Sequence, residues 1–140
     1  MFDRPIKSIM ERERFLTAPP QTTVSEAARL MATRNAGAVL VVEGESLVGI
    51  FTERDVVFRV IAKDLNPAST RLESVMTTSP LTLAPNRSYG HALLLMQENG
   101  FRHVPVVDNG RPIGIVSSRN AMDPELEDFV SEQRRREHHR

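Results

Sequence analysis

Two stretches of the chain carry apolar residues at helical spacing. Thr23 precedes the first stretch as an N-cap residue and Glu26 follows three positions later, which together predict a capping box. The buried faces are expected at Val24, Ala27, Ala28 and Met31 in the first stretch and at Tyr89, Ala92, Leu93 and Met96 in the second. The pattern therefore predicts two amphipathic helices, one in each half of the chain.

Short apolar runs separated by polar turns predict strands that pair as hairpins. Residues 38–42 are rich in β-branched side chains and are followed, after a polar turn, by a second apolar run at residues 47–51. In the second half, Asp108-Asn109-Gly110 is the clearer turn signal between two similar runs. A further helix is expected over residues 52–64, with Val56, Val57, Val60 and Ile61 on its buried side.

Weaker signals predict the remaining elements. Residues 3–12 are expected to form a lead-in helix, residues 15–18 a brief strand, and residues 66–71 a linker. A last helix is expected over residues 124–137, with acidic residues in its first turn and three arginines, 134–136, at its end. The helix dipole favours that order, and we interpret the arginine run as a solvated helix end.

The two halves of the chain are copies of one unit. Shifting the sequence by 65 positions aligns residues 17–55 with residues 82–120 without a gap, and eleven of the aligned pairs are identical. Many of the other pairs are similar, such as Thr52 with Ser117 and Asp55 with Asn120. A gapless match of this length predicts a tandem duplication.

The same type of seven-residue stretch closes both copies, as GIFTERD at residues 49–55 and GIVSSRN at residues 114–120. In each, a strand is expected to turn directly into a helix, where a hydroxyl and free backbone N–H groups attract phosphate and a short acceptor can take ribose hydroxyls. The stretches therefore predict a nucleotide site. A structural alternative remains, because Thr52 with Asp55 also fits a capping box, and Ser117 with Asn120 a weaker version of one.

Composition narrows the class of protein. Hydrophobic residues make up 40% and charged residues 26%, and 18 basic residues balance 18 acidic ones, so no general attraction to nucleic acid or to an anionic membrane is expected. The absence of cysteine excludes disulfides and thiolate chemistry. No apolar run approaches the roughly 18 residues of a membrane span, and the start lacks the apolar core of a signal peptide, so we expect a cytoplasmic location.

These features resemble the CBS domain pair, or Bateman module, in which G-[IV]-x-[TS]-x-x-[DN] closes each copy and HVPVV precedes the second closing stretch. The resemblance implies an α+β (α/β) fold of two β-α-β-β-α repeats packed about a pseudo-twofold axis. The first repeat is expected at residues 5–65, the second at residues 72–122, and a C-terminal helical tail at residues 123–140. The resemblance also implies two clefts that bind an adenosine compound (AMP, ADP, ATP, NAD or S-adenosylmethionine), and assembly as a homodimer.

The resemblance assigns residues to each cleft. The first cleft is expected to comprise Thr52, Asp55, Arg102, His103, Val104, Pro105 and Arg119, with Asp55 holding the ribose hydroxyls. The second, weaker cleft is expected to comprise Gly37, Ala38, Arg54, Ser117 and Asn120. Asn120 offers a neutral acceptor where an aspartate is usual, and Gly37 and Ala38 stand where the first cleft has Arg102 and His103. Binding at the second cleft is therefore expected to be weaker.

The expected function is a regulatory, signal-transducing module that senses an adenine nucleotide and signals through a homodimer or an unidentified protein partner. We expect neither catalytic nor metal-binding residues, because the sequence has no nucleophile paired with a base and no Gly-rich phosphate loop. Nucleic acid and membrane are not expected as partners. The alternative is a structural oligomerisation or scaffold domain whose clefts are vestigial, which Asn120 and the small residues Gly37 and Ala38 favour.

Overall fold

A computed structural model describes residues 2–10, 15–121, 129 and 132–137. The elements of the first half are a 3-10 turn (Ile6–Ser8), β1 (Leu16–Ala18), α1 (Val24–Arg34), β2 (Ala38–Glu43), β3 (Ser46–Thr52) and α2 (Glu53–Asp55), which continues as a π-helix (Val56–Ile61). Those of the second half are α3 (Leu72–Val75), β4 (Thr77–Thr78), α4 (Tyr89–Asn99), β5 (His103–Asp108), β6 (Arg111–Ser117) and a 3-10 turn (Ser118–Ala121). The α+β class is confirmed, and both copies have the predicted helix and hairpin.

Hydroxyl N-caps begin the two long helices, as equivalent positions of a duplication should. Thr23 accepts a hydrogen bond from the backbone N–H of Glu26 at 3.2 Å, and Ser88 accepts one from the backbone N–H of His91 at 3.3 Å. The apolar stripe behind each cap faces the core, where the fully or nearly fully buried residues are Val24, Ala27 and Met31 in α1 and Tyr89, Ala92 and Met96 in α4.

The strands form two sheets built on the predicted hairpins. The first sheet has the order β1-β2-β3-β4, in which β1 pairs with β2 in parallel and the other neighbours are antiparallel. The second consists of β5 and β6, and Leu83 adds a single bridge to Val106. Asn109 and Gly110 have φ angles of 53° and 80°, a left-handed pair typical of a type I′ turn between β5 and β6.

The two repeats exchange short segments. The segment at the start of the first repeat packs into the core of the second, and the segment at the start of the second repeat packs into the core of the first. Ile6 is fully buried in the second core, where its N–H donates to the carbonyl of Arg87 at 2.8 Å. Leu72 is fully buried in the first core, where its N–H donates to the carbonyl of Thr22 at 2.9 Å. A third buried cluster joins the two halves and comprises Ala38, Leu40, Ile50 and Ile115. The two repeats are therefore held together by exchanged segments as well as by a shared interface.

Two predicted helices differ from the structure. In place of a lead-in helix over residues 3–12, the described residues there contain only the three-residue 3-10 turn. The helix after β3 ends as a π-helix at Ile61, with the backbone N–H of Ala62 bonded to the carbonyl of Val57 at 2.9 Å. The predicted buried side is wrong for two residues, because Val60 is buried but Val57 and Ile61 are 55% and 56% exposed.

The predicted C-terminal helix lies partly outside the described residues. Residues 132–137 are helical, and the Arg136 guanidinium forms an ion pair with Glu132 at 3.1 Å one turn earlier. The predicted start of this helix, at residues 124–128, is not among the described residues. Within the described segments, no helix combines the length and the apolar character needed to cross a lipid bilayer.

Candidate functional site

A cavity of about 270 Å³ lies between the two repeats. Buried apolar residues, Ala38 and Ile115, contribute to its wall, whereas its charged residues are exposed. Its lining comprises Phe15, Arg34, Asn35, Ala36, Gly37, Ala38, Glu53, Arg102, His103, Ile115, Ser117, Ser118 and Arg119. Small-molecule sites combine apolar walls with a few polar groups in this way, and the volume is near the lower end of their usual range of ~300–1,000 Å³.

Equivalent backbone hydrogen bonds in the two repeats place the loops that form the cavity. The N–H of Glu53 donates to the carbonyl of Gly37 at 3.0 Å, and the N–H of Ser118 donates to the carbonyl of Arg102 at 3.1 Å. Each bond joins the residue immediately before a hairpin to the residue immediately after it. The duplication thus brings four loop positions of two repeats to one place.

Gly37 allows His103 to approach the first repeat closely. A Cβ atom on Gly37 would lie 3.0 Å from Nε2 of His103 and 3.2 Å from Oε1 of Glu53, so any larger residue would displace these side chains. Burial lowers the pKa of His103 below its ordinary value of 6.5; Glu53 raises this pKa in part, and Arg119 and Arg102 lower it further. The site therefore favours a neutral imidazole beside the Glu53 carboxylate.

Asp55, the predicted ribose ligand, caps its own helix. Its Oδ2 accepts from the backbone N–H of Thr52 at 2.9 Å and from the Thr52 hydroxyl at 3.1 Å, while the Asp55 N–H donates to that hydroxyl at 3.3 Å. Its Oδ1 lies 3.4 Å from Nε of Arg59, whose Nη1 also donates to the carbonyls of Val75 and Met76 at 3.2 Å. The capping alternative for Thr52 and Asp55 is confirmed, and neither residue lines the cavity.

Asn120 has the equivalent role in the second repeat. Its Oδ1 accepts from the backbone N–H of Ser117 at 2.7 Å and from the Ser117 hydroxyl at 3.2 Å. The hydroxyl of the buried Tyr89 donates to the carbonyl of Ser117 at 2.8 Å and so helps to hold the same turn. Asn120 is itself buried and does not line the cavity, whereas Ser117 does.

The two equivalent arginines of the closing stretches point to different surroundings. Arg119 lines the cavity, whereas the Arg54 guanidinium lies 4.3 Å from the ring centre of Phe58, one turn along its own helix, and is not part of the lining. Arg102 and Arg34 join Arg119 around the cavity. Within the part of the chain that the structure describes, these three guanidinium groups form no ion pair.

The cavity combines residues that the family resemblance assigned to separate clefts. It gathers Gly37, Ala38, Arg102, His103, Ser117 and Arg119, and its lining does not include Thr52, Arg54, Asp55, Val104, Pro105 or Asn120. The lining residues absent from the sequence prediction are Phe15, Arg34, Asn35, Ala36, Glu53, Ile115 and Ser118. Glu53, Ile115 and Ser118 lie inside the two closing stretches, so the repeat itself could have pointed to them; the other four residues lie outside these stretches.

Comparison with known proteins finds a family and a fold. The family model described as CBS domain matches residues 6–62 and again residues 72–124. Meiotically up-regulated gene 70 protein of Schizosaccharomyces pombe is 43% identical over 100 residues, which is 71% of this chain and 14% of that protein. The chain spans 14% to 19% of the length of the first six curated relatives that it matches.

Solved structures share the architecture over most of the chain. A conserved protein from Pyrococcus horikoshii superimposes with a TM-score of 0.82 and 29% identity, covering 89% of this chain and 94% of that one. The CBS domain pair of protein MJ0100, in complex with 5′-methylthioadenosine and S-adenosyl-L-methionine, superimposes with a TM-score of 0.79 and 25% identity, covering 89% of this chain and 98% of that one.

Proposed function

Because the chain belongs to the CBS domain family and carries two CBS domains in tandem, we propose that it is a regulatory module that binds an adenosine ligand in the cavity between them. The observation that carries this proposal is the convergence of Arg34, Arg102 and Arg119 on one cavity that also has Phe15 and Ile115 in its wall. Apolar walls suit an adenine ring, and guanidinium groups suit phosphate.

The adenosine part of the proposal draws on a relative of the same architecture. The CBS domain pair of MJ0100 was solved with two adenosine compounds, and its chain aligns with nearly all of this one. The phosphate part draws on this chain alone, because three guanidinium groups line one cavity without an ion pair among the described residues and so offer positive charge to an anion. A ligand that neutralises this charge stabilises the arrangement of the repeats that binds it and shifts the population toward that arrangement.

The bound state is passed on, in this proposal, through a homodimer or a protein partner. Val57, Phe58 and Ile61 are each more than half exposed on the helix that begins at Glu53, a residue of the cavity. This apolar face also favours a second candidate function, an oligomerisation module that does not respond to ligand. The two candidates differ in one observable, because only the regulatory module changes its stability or assembly when an adenosine compound is added.

The duplication provides a matched pair of variants for the test. We expect AMP, ADP, ATP, NAD or S-adenosylmethionine to raise the melting temperature of the wild-type protein. Arg119→Gln should then weaken the best ligand by about tenfold or more in calorimetry, as loss of one charged hydrogen bond implies. Arg54→Gln, at the equivalent position outside the cavity, should change the affinity by less than about twofold.

Two results would count against the proposal. If no adenosine compound raises the melting temperature, the oligomerisation module becomes the better reading, and sedimentation of the wild-type protein would then give the assembly it forms. If a compound binds but Arg54→Gln weakens it as much as Arg119→Gln does, the ligand lies elsewhere than in this cavity.

A further inference from the structure

Glu53 places a negative charge in a cavity whose other charged residues are arginines. The cavity lining contains Arg34, Arg102 and Arg119, and Glu53 is the acidic residue that accompanies them. Its Oε1 lies 3.2 Å from the point where a Cβ atom on Gly37 would sit, and Nε2 of His103 lies 3.0 Å from the same point. The carboxylate is therefore close to the imidazole and inside the site where a ligand would bind.

The backbone fixes the position of residue 53 beside Gly37. Glu53 follows the N-cap Thr52 directly, and its N–H is bonded to the carbonyl of Gly37 at 3.0 Å. The equivalent residues of the second repeat are Ser118 and Arg102, which are joined by the same bond at 3.1 Å. One repeat thus presents an acid where the other presents a hydroxyl, so the acid is a feature of this one position and not of the repeat.

The formal charges of the lining residues indicate how much negative charge a bound ligand should carry. Three guanidinium groups and one carboxylate leave two positive charges among the described lining residues, since burial keeps the His103 imidazole neutral by lowering its pKa. A single phosphate group carries about 1.5 to 2 negative charges at neutral pH, which matches this balance. A triphosphate brings more negative charge than the arginines balance, and part of it would lie near the Glu53 carboxylate.

We propose, on the basis of the function proposed above, that Glu53 limits the negative charge of the ligand that the cavity accepts. The cavity therefore selects an adenosine compound with one phosphate group over a di- or triphosphate. The same balance disfavours S-adenosylmethionine, whose sulfonium adds a positive charge beside the arginines. Glu53 is thus a specificity-determining residue of the site.

Calorimetry with AMP and ATP on two charge-matched variants tests this inference. The wild-type protein should bind AMP more tightly than ATP. Glu53→Gln should raise the affinity for ATP on the order of tenfold and that for AMP by no more than about threefold. Glu43→Gln removes the same charge from an exposed strand end outside the cavity and should leave the AMP-to-ATP ratio unchanged. An unchanged ratio in Glu53→Gln, or an equal change in Glu43→Gln, overturns the inference.

Inorganic anions separate this inference from the proposed function. Thermal shifts with phosphate and tripolyphosphate measure the charge preference without an adenine ring. If adenosine compounds do not bind but tripolyphosphate stabilises Glu53→Gln more than the wild-type protein, the adenosine function fails and the role of Glu53 stands. If AMP and ATP bind with a ratio that Glu53→Gln does not alter, the role of Glu53 fails and the adenosine function stands. If neither anions nor nucleotides bind, both are wrong.

Discussion

Replacing Asp55 by alanine should destabilise the protein even when no nucleotide is present. The variant loses the acceptor of the Thr52 N–H at 2.9 Å and of the Thr52 hydroxyl at 3.1 Å, at a residue that is only 8% exposed. Loss of hydrogen bonds to a buried charged group costs about 1.5 kcal/mol. The ion pair with Arg59 adds about 0.5 kcal/mol or less, because Arg59 is half exposed. The total of about 2 kcal/mol corresponds to a fall of about 6 °C in melting temperature for a chain of this size.

Asp55→Asn separates the cap from the ion pair. The second repeat already shows that an amide oxygen is sufficient for the cap, since Oδ1 of Asn120 accepts from the N–H of Ser117 at 2.7 Å and from its hydroxyl at 3.2 Å. The asparagine variant should therefore retain the cap, lose only the interaction with Arg59, and melt about 1–2 °C below the wild-type protein. Calorimetric melting of the two variants without ligand measures both quantities.

The comparison of the two variants is decisive for the capping account. An alanine variant that melts within about 1 °C of the wild-type protein, or an asparagine variant that falls as far as alanine, would refute it. Titration of the asparagine variant with AMP adds a second readout. If this variant keeps its stability but loses affinity for AMP, Asp55 also makes the ribose contact that the family resemblance implies, and the cap and the contact share one side chain.

Two further predictions concern Tyr89, which is bonded to the turn at Ser117, and His103, which lines the cavity. Tyr89→Phe removes the hydroxyl that donates to the carbonyl of Ser117 at 2.8 Å and should cost about 1 kcal/mol in urea unfolding; a cost below about 0.3 kcal/mol would contradict the assigned bond. Because burial lowers the pKa of His103, the unfolded chain takes up a proton on this residue before the folded protein does as pH falls through 6.5. The free energy of unfolding should therefore decrease from pH 7 toward pH 5 more steeply in the wild-type protein than in His103→Gln. Equal slopes in urea unfolding would show that His103 does not contribute.

The elements that follow from local periodicity could be predicted from the sequence. The two long helices and both hairpins depend on side chains close to one another in the chain, and the duplication identifies them twice. Periodicity could not predict whether a buried residue belongs to the core of the first repeat or to that of the second. Ile6 is apolar and fully buried, as expected of such a residue, yet it belongs to the core of the second repeat, because that choice depends on contacts with distant residues such as Arg87.

The site was predictable in its position along the chain and less so in the direction of its side chains. Both closing stretches contain an arginine at the same place, but only Arg119 lines the cavity. Arg54 stacks on Phe58, four residues later, and the equivalent position of the second repeat is Asp123, which offers no aromatic face. Phe58 lies outside the repeated stretch, so the repeat alone does not predict that the two arginines have different surroundings.

Pseudo-twofold packing gives a physical reason for the differences between the two repeats at the cavity. Equivalent residues lie near each other at such an axis, so two unaltered copies would bring like charges together and lose stability. In this chain the small Gly37 corresponds to Arg102 and the acidic Glu53 to the neutral Ser118. The imidazole of His103 occupies the space that Gly37 leaves, beside that acid. Divergence at these positions converts a contact between identical loops into a complementary one, and one cavity takes cations from both repeats and its acid from the first.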